Sequence, residues 1–181
     1  MGSRNGLVRE SKDLLALHGI VRGIIGRKCW KAEFSYASEL ILHFGRRQSD
    51  LLRAIPRFNL PERRVERGEW HLGTRATPWT LYTPRGIISS KEWSEENEKA
   101  LQKKLTSVLA GRKVIQFSVS VPDDVLSVWF GDEYLFRITP TWRDAQYDVA
   151  YWELFMPGDK IVTYGPGSRW SYQRSDVPMT A

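Results

Sequence analysis

The chain contains a single cysteine, Cys29, among its 181 residues. One thiol forms no internal disulfide, and it excludes a zinc site built from several cysteines. No apolar run approaches the roughly 20 residues of a membrane-spanning helix, and the first residues, MGSRNGLVRESKD, lack the apolar segment of a secretory signal. We therefore expect a cytoplasmic protein, in a reducing compartment, that makes no membrane contact.

The sequence also lacks the residue patterns of common catalytic and cofactor sites. Its three histidines, His18, His43 and His71, show no His-x-x-x-His spacing. Neither a Gly-x-Ser-x-Gly motif nor a glycine-rich phosphate loop is present. Cys29 stands beside Trp30 in a predicted strand, where a buried and unreactive thiol is expected. We therefore expect a protein that is not an enzyme and has no cofactor and no metal site.

Acidic residues leave one catalytic alternative open. Eight of them crowd the second half of the chain: Asp123, Asp124, Asp132, Glu133, Asp144, Asp148, Glu153 and Asp159. Most fall at predicted turns, where aspartate hydrogen-bonds its own backbone. Glu153 lies inside a predicted strand and is expected to pair with Arg112 or Arg137. A hydrolase that uses paired carboxylates is the remaining catalytic hypothesis.

Apolar residues and positive charge are plentiful. Hydrophobic residues make up 41% of the chain and eight tryptophans are present, enough to build a core. Residues 1–90 hold 16 basic and 8 acidic residues, a net charge of +8, whereas residues 91–181 hold 11 and 13, a net charge of −2. This asymmetry predicts that the first half meets an acidic partner, either a protein or a nucleic acid.

Two stretches have the period of an amphipathic helix. Residues 11–25 predict a short helix ending near Gly19 or Gly23, because glycine costs up to about 1 kcal/mol in a helix. Residues 95–110 predict a longer helix with a stripe of leucines, closed by Gly111 at its C-terminal end. Short runs of period two follow each helix and predict strands.

These elements occur twice in the same order. Three pairs of segments match: Gly26-Arg27-Lys28 with Gly111-Arg112-Lys113, Leu40–Gly45 with Leu126–Gly131, and Trp70-His71-Leu72 with Trp152-Glu153-Leu154. We predict a β-dominated α+β fold made of two pseudo-symmetric copies of one helix followed by an antiparallel meander of about five strands. The predicted organisation is a flexible arm at 1–10, a first repeat at 11–90, a second at 91–172 and a tail at 173–181.

The second half also resembles a known group of domains. The residues that carry the match are Leu109, Gly111, Arg112, Val114, Leu126, Val128, Phe130, Trp152, Glu153, Leu154, Gly158, Pro166, Gly167 and Trp170. They are similar to small β-rich repeat domains of bacteria, frequent in actinobacteria, with a Gly-Arg, Trp-Glu-Leu and Pro-Gly pattern. The resemblance implies a role of the immunity-protein kind, in which a small domain binds a partner such as a toxin.

The first copy departs from the second at a basic loop, predicted at 57–69, and at His71, which stands where the second copy has Glu153. The residues predicted to bind a partner are Arg46, Arg47, Arg57, Arg63, Arg64, Arg67 and His71. Our first hypothesis is a non-enzymatic module or accessory subunit that docks on an acidic protein. The alternative is an RNA- or DNA-associated protein that binds through the arginine-rich loop 57–67. The oligomeric state is left open.

Overall fold

The computed structural model describes residues 4–8, 11–52, 63–131, 133–141 and 149–175. Strands account for 51% of the structure and helices for 19%, arranged as two antiparallel sheets and two α-helices. The β-dominated α+β class predicted from the sequence is therefore confirmed. None of the described helices is long and apolar enough to cross a membrane.

Twelve strands and two α-helices follow one another along the described residues. Their bounds are β1 Arg4–Leu7, α1 Leu14–Val21, β2 Cys29–Phe34, β3 Leu40–Leu52, β4 Arg63–Thr74, β5 Trp79–Thr83, β6 Gly86–Ser89, α2 Glu98–Leu109, β7 Val114–Val119, β8 Leu126–Phe130, β9 Tyr134–Ile138, β10 Trp152–Met156, β11 Lys160–Gly165 and β12 Arg169–Arg174. Short 3-10 turns extend α1 at both ends.

The chain passes repeatedly between the two sheets. The seven-stranded sheet has the order β1-β12-β11-β10-β4-β3-β2, and the five-stranded sheet has the order β6-β5-β9-β8-β7. The first half enters the five-stranded sheet after β4, and the second half enters the seven-stranded sheet after β9. The prediction of one five-strand meander in each half is therefore wrong, because the last strands of each half pair with the first strands of the other.

The helices form where the sequence predicts them. In α2, Leu101, Leu105 and Leu109 are buried, which is the stripe expected of an amphipathic helix. Thr106 of α2 also closes the outer edge of β2. Its Oγ1 accepts a hydrogen bond from the Ala32 N–H (3.0 Å) and donates one to the Ala32 carbonyl oxygen (3.1 Å). The outward N–H and carbonyl groups of Ala32 in this edge strand are therefore satisfied by a side chain.

The core lies between the two sheets. Phe44 of β3 stacks on Phe130 of β8 at 6.1 Å between ring centroids, and Phe117 of β7 meets Trp152 of β10 edge-on at 5.6 Å. Buried residues of both halves form one continuous cluster. The two predicted repeats therefore share a single hydrophobic core.

The two Gly-Arg-Lys segments lie against each other. Gly26 N–H donates to the Val114 carbonyl (2.7 Å) and Gly111 N–H donates to the Cys29 carbonyl (2.8 Å). Lys28 lies opposite Lys113 in an antiparallel bridge. Both glycines have a positive φ, +82° and +81°, which a residue with a Cβ rarely adopts.

Three segments differ from the prediction. Residues 4–7, expected within a flexible arm, form β1 and pair with β12. Residues 63–69, expected within a loop, belong to β4 and pair with β3. Strand β12 continues to Arg174, into the predicted tail. In each case the segment is a strand because it pairs with a partner strand. A local pattern of residues does not reveal which distant strand that partner will be.

Candidate functional site

A long two-stranded ribbon distinguishes the first half from the second. Strands β3 and β4 have 13 and 12 residues, whereas β8 and β9 have five each. Between Gly45 and Glu69 lie 23 residues with seven arginines and three acidic residues, a net charge of +4. We call residues 46–68 the arginine ribbon. It carries most of the net charge of +6 of the whole chain.

The base of the arginine ribbon is tied to a buried carboxylate. Glu69 is only 5% exposed, and it pairs with Arg27 (Nη1–Oε1, 3.0 Å) and with Arg46 (Nε–Oε2, 3.1 Å). Gly45 makes room for this carboxylate, since a Cβ there would lie 2.4 Å from Glu69 Oε1. Its φ of +74° also favours glycine. The ribbon therefore leaves the sheet from a fixed point.

Beyond this point, three of the described arginines of the ribbon face solvent, and Arg67 is half-buried. The Arg46 side chain is 86% exposed, and Arg47 and Arg64 are also exposed. The Arg47 guanidinium lies 4.7 Å from the centroid of the Trp30 ring, a cation–π contact that orients it. The result is a surface of fixed positive charge beside the sheet.

An aromatic row runs from the ribbon across the outward face of the seven-stranded sheet. We call Trp30, His43, His71 and Phe155 the histidine row. His43 lies opposite His71 across β3 and β4, and His71 lies opposite Phe155 across β4 and β10. The ring centroids are 5.5 Å apart for Trp30 and His43, 5.8 Å for His43 and His71, and 4.4 Å for His71 and Phe155.

The rings of the histidine row cover one another. His71 and Phe155 are nearly parallel, with 9° between their planes, and the Arg47 guanidinium covers a face of Trp30. A nucleic acid base needs a free ring face on which to stack. His71 lies between the rings of His43 and Phe155, and one face each of Phe155 and Trp30 contacts a neighbouring group. These contacts support the base of the ribbon.

His43 is held in one orientation by two hydrogen bonds. The Gly68 N–H donates to His43 Nδ1 (3.0 Å), so the neutral ring carries its proton on Nε2 and donates it to Glu33 Oε1 (2.8 Å). His43 is 2% exposed. Burial alone would raise the pKa of Glu33, but hydrogen bonds from His43 and Lys31 lower it to about 2. This cluster fixes the ribbon to the sheet, because Gly68 belongs to the ribbon.

His71 carries no charge at neutral pH. Burial, helped by the neighbouring His43, lowers the pKa of His71 to about 4. His71 lines a cleft at the side of the ribbon. The cleft is also lined by Arg67 of β4, Phe155 of β10, Asp159 of the β10–β11 turn and Lys160 of β11. The positive charge of this region therefore comes from the arginines and not from the histidines.

Groups that carry catalysis elsewhere are poorly placed here. Burial raises the pKa of the Cys29 thiol to about 12, so its thiolate is scarce at neutral pH. Glu153 pairs with Arg75 (Oε2–Nε, 3.3 Å) and not with the expected Arg112 or Arg137; burial nevertheless raises its pKa. Within the described ranges, no three His, Cys, Asp or Glu side chains are grouped to hold a metal ion.

Most of the predicted partner-binding residues lie in one region. Arg46, Arg47, Arg64 and Arg67 all belong to the ribbon, and His71 lies beside its base. Arg57 lies outside the described residues, and only the backbone of Arg63, in β4, is described.

The sequence pattern did not indicate that Trp30, Glu33 and Phe155 lie next to this region. The alternation of β2 places Lys31 and Glu33 on one face, but only the pairing of β10 with β4 brings Phe155 to His71.

Comparison with known proteins gives no further assignment. The chain matches no protein-family model, no curated protein and no solved structure. The function is therefore inferred from the geometry of the ribbon and of the histidine row.

Proposed function

We propose that the two halves are diverged copies of one unit, and that the function resides where the first copy departs from the second. The strand orders support this: β2-β3-β4-β10-β11 in one sheet corresponds to β7-β8-β9-β5-β6 in the other. The first strand pair of each series has a bulge at the same place, between Cys29 and Lys31 and between Val114 and Gln116. Each unit would thus give its last two strands to the sheet of the other.

The strand register supports the same proposal and revises the matching of segments. Trp152 lies opposite Thr74 where β10 meets β4, and Trp79 lies opposite Ile138 where β5 meets β9. On this correspondence the partner of Trp152-Glu153-Leu154 is Trp79-Thr80-Leu81, and not Trp70-His71-Leu72 as the sequence alone suggested. The segments that follow agree, since each reaches a proline turn, at Pro84 and Pro157.

Two departures of the first copy stand out on this correspondence. The arginine ribbon fills the space between Gly45 and Glu69, where the second copy has one residue between Gly131 and Glu133. On the outward face, His43 and His71 replace Trp129 and Leu135 of the five-stranded sheet. The unit has gained a charged projection and the polar cluster that anchors it.

The function that this geometry supports best is non-enzymatic binding to an acidic surface of a partner protein. The observation that carries it is the exposed positive charge of Arg46, Arg47 and Arg64, in a segment that holds seven arginines and a net charge of +4. Such a charge raises association rates and selects against basic partners. The carboxylates of Glu33 and Glu153 lie on the neighbouring sheet face, where Glu33 pairs with Lys31 and Glu153 with Arg75. The immunity-type role implied by the resemblance of the second half is one form of this function.

Affinity capture with matched charge reversals tests this function. The double variant Arg47→Glu/Arg64→Glu changes two exposed arginines of the ribbon, and Arg22→Glu/Arg169→Glu makes the same charge change elsewhere on the surface. We expect the unaltered chain and the control variant to retain one stoichiometric protein from the native host, and the ribbon variant to lose it. Equal recovery by all three proteins would contradict the proposal.

A second candidate is duplex nucleic acid, favoured by the ribbon shape itself. A two-stranded β-ribbon fits the major groove of B-DNA, and the arginines would neutralise phosphates. Binding to a 20-base-pair duplex, followed by fluorescence anisotropy from low to high salt, distinguishes the two candidates. A logarithmic salt slope of several units, reduced in Arg47→Glu/Arg64→Glu, would favour nucleic acid. Absence of binding at low salt would exclude it.

A further inference from the structure

The outer edge of β6, like that of β1 at one end of the other sheet, pairs with no further strand among the described residues. The edge of β2 is closed by Thr106 of α2, and β7 is packed against α1. Strand β6 pairs only with β5, and no other strand of the described chain lies beside it. Its outer backbone groups therefore have no strand partner within the described part of the chain.

The corresponding edge in the seven-stranded sheet is filled by the chain itself. Strand β11 corresponds to β6 in strand order, and it pairs with β12 on the side away from β10. The paired residues run from Lys160 opposite Arg174 to Gly165 opposite Arg169. Ile161 of β11 is 8% exposed beneath this arrangement, whereas Ile87, at the matching place in β6, is 61% exposed. The structure thus contains, in β12, an example of the strand that the β6 edge accommodates.

An apolar row leads to the open edge. On the outward face of the five-stranded sheet, Leu135, Tyr82 and Ile87 are neighbours across β9, β5 and β6. Their exposed fractions rise from 7% to 37% and 61% toward the edge. A strand added to β6 would cover the most exposed end of this row, as β12 covers Ile161.

The charges around the edge select the partner. Arg85 precedes β6 and Lys91 follows it, and both are exposed. Arg137 lies over the Tyr82 ring at 5.6 Å from its centroid, and it is also exposed. Glu92, which follows Lys91, is paired with Lys104 at 3.3 Å. The side chains that flank β6 on either side, together with Arg137, are therefore basic and complement an acidic segment.

We propose that the β6 edge is a second docking site, which takes an extended, acidic segment of a partner protein as an added antiparallel strand. The segment would alternate apolar and polar residues, as Trp170, Ser171 and Tyr172 do in β12. Backbone hydrogen bonds supply the affinity, and the alternating side chains and flanking charges supply the selectivity. This site belongs to the five-stranded sheet and the arginine ribbon to the seven-stranded sheet. The test of the β6 edge therefore does not depend on the proposed function.

Two synthetic peptides test the site with the full-length chain. One copies residues 168–175, and the other carries Arg169→Glu and Arg174→Glu in the same sequence. Fluorescence anisotropy is expected to show that the acidic peptide binds about tenfold more tightly than the unaltered copy. Hydrogen exchange is expected to slow at residues 86–89 when the acidic peptide is present.

Two isoleucine variants provide the matched control. Ile87→Asp is expected to weaken peptide binding about tenfold or more, because it replaces an apolar side chain beside the added strand with a negative charge that repels the acidic peptide. Ile115→Asp alters an isoleucine that is 49% exposed on β7, the opposite edge strand of the same sheet, and is expected to leave binding unchanged. Thermal unfolding checks that both variants remain folded.

Three results would overturn the proposal. One is the absence of binding by both peptides, since strand pairing depends mainly on backbone groups. Another is an equal loss of binding in the two isoleucine variants. The third is protection of residues 86–89 that grows with protein concentration in the absence of peptide, which would assign the edge to a second copy of this chain.

Discussion

The outward faces of the two sheets carry different chemistry at corresponding positions. In the seven-stranded sheet, His43 and His71 lie side by side next to the arginine ribbon. In the five-stranded sheet, Trp129 and Leu135 lie side by side and the chain turns within three residues, from Gly131 to Glu133. One face has two histidines that fix the base of the ribbon, and the other has Trp129 and Leu135 at the matched positions, with the exposed Arg137 over the Tyr82 ring. Substitutions at matched positions should therefore have unequal effects.

The largest difference in the free energy of unfolding is expected between alanine variants of the two glycines that begin these turns, Gly45 and Gly131. Gly45 and Gly131 both have a positive φ, +74° and +68°, so an alanine costs about 1–2 kcal/mol at either place. Gly45→Ala also drives a Cβ to 2.4 Å from Glu69 Oε1, and the total cost is expected to be about 3–4 kcal/mol. Nothing lies within 4 Å of a Cβ at Gly131. Urea unfolding of both variants measures the difference; equal costs would contradict the anchoring role of Glu69.

A loss of stability at mildly acidic pH is expected to come from the histidine row. The pKa of His71 is about 4 in the folded protein, below the ordinary value of 6.5. The unfolded chain therefore binds a proton first, and stability falls as the pH is lowered from about 6.5 to about 4, by on the order of 3 kcal/mol. His71→Leu, which introduces the residue found at Leu135, removes this contribution.

The measurement for His71 is urea unfolding at several pH values. Glu33 contributes in a lower window, because its pKa of about 2 lies below its ordinary value of 4.5; its contribution is lost between about pH 4.5 and 2. An unchanged loss between pH 6.5 and 4 in His71→Leu would show that another group is responsible.

His43→Leu is expected to destabilise the fold by about 2–3 kcal/mol, because it leaves the Gly68 N–H and the Glu33 carboxylate without their shared partner. Trp129→Leu, at the matched position of the other sheet, removes only part of a half-buried ring and is expected to cost about 1 kcal/mol. Thermal unfolding compares the two variants. A smaller effect at His43 would mean that water replaces the lost hydrogen bonds.

The smallest effect is expected at Arg47. Arg47→Ala removes a contact of an exposed guanidinium with Trp30, at 4.7 Å, and is expected to cost about 0.5 kcal/mol. Arg137→Ala, which removes the longer contact with Tyr82 at 5.6 Å, is expected to cost less. Urea unfolding measures both. A cost above about 1.5 kcal/mol at Arg47 would place it in the anchor of the ribbon and not on its binding surface.

Local pattern predicted the elements of this fold well. The alternation of β3 placed Leu40, Leu42 and Phe44 on one face, and all three are buried. Both helices formed where their periodicity indicated. These features depend on residues that are near one another in sequence, so the sequence carries their signal.

Pairing between distant strands was not predictable in the same way. The Trp-x-Leu pattern occurs three times, at Trp70, Trp79 and Trp152, and each occurrence fits a strand with its large residues facing the core. Under the proposed duplication, the pairing of β5 with β9 and of β10 with β4 selects Trp79 and Trp152 as the matching pair. The candidate site shows the same limit, because His71 meets Phe155 through that long-range pairing.

Removal of the arginine ribbon tests the central claim most directly. Residues 46–67 would be replaced by one aspartate, which leaves two residues, that aspartate and Gly68, between Gly45 and Glu69, against one residue between Gly131 and Glu133. Gly68 is kept, because its N–H holds His43. The shortened chain is expected to unfold cooperatively within a few degrees of the full-length protein and to lose its acidic partner in affinity capture. A folded, shortened chain that still retains the partner would contradict the claim that the ribbon is the binding surface.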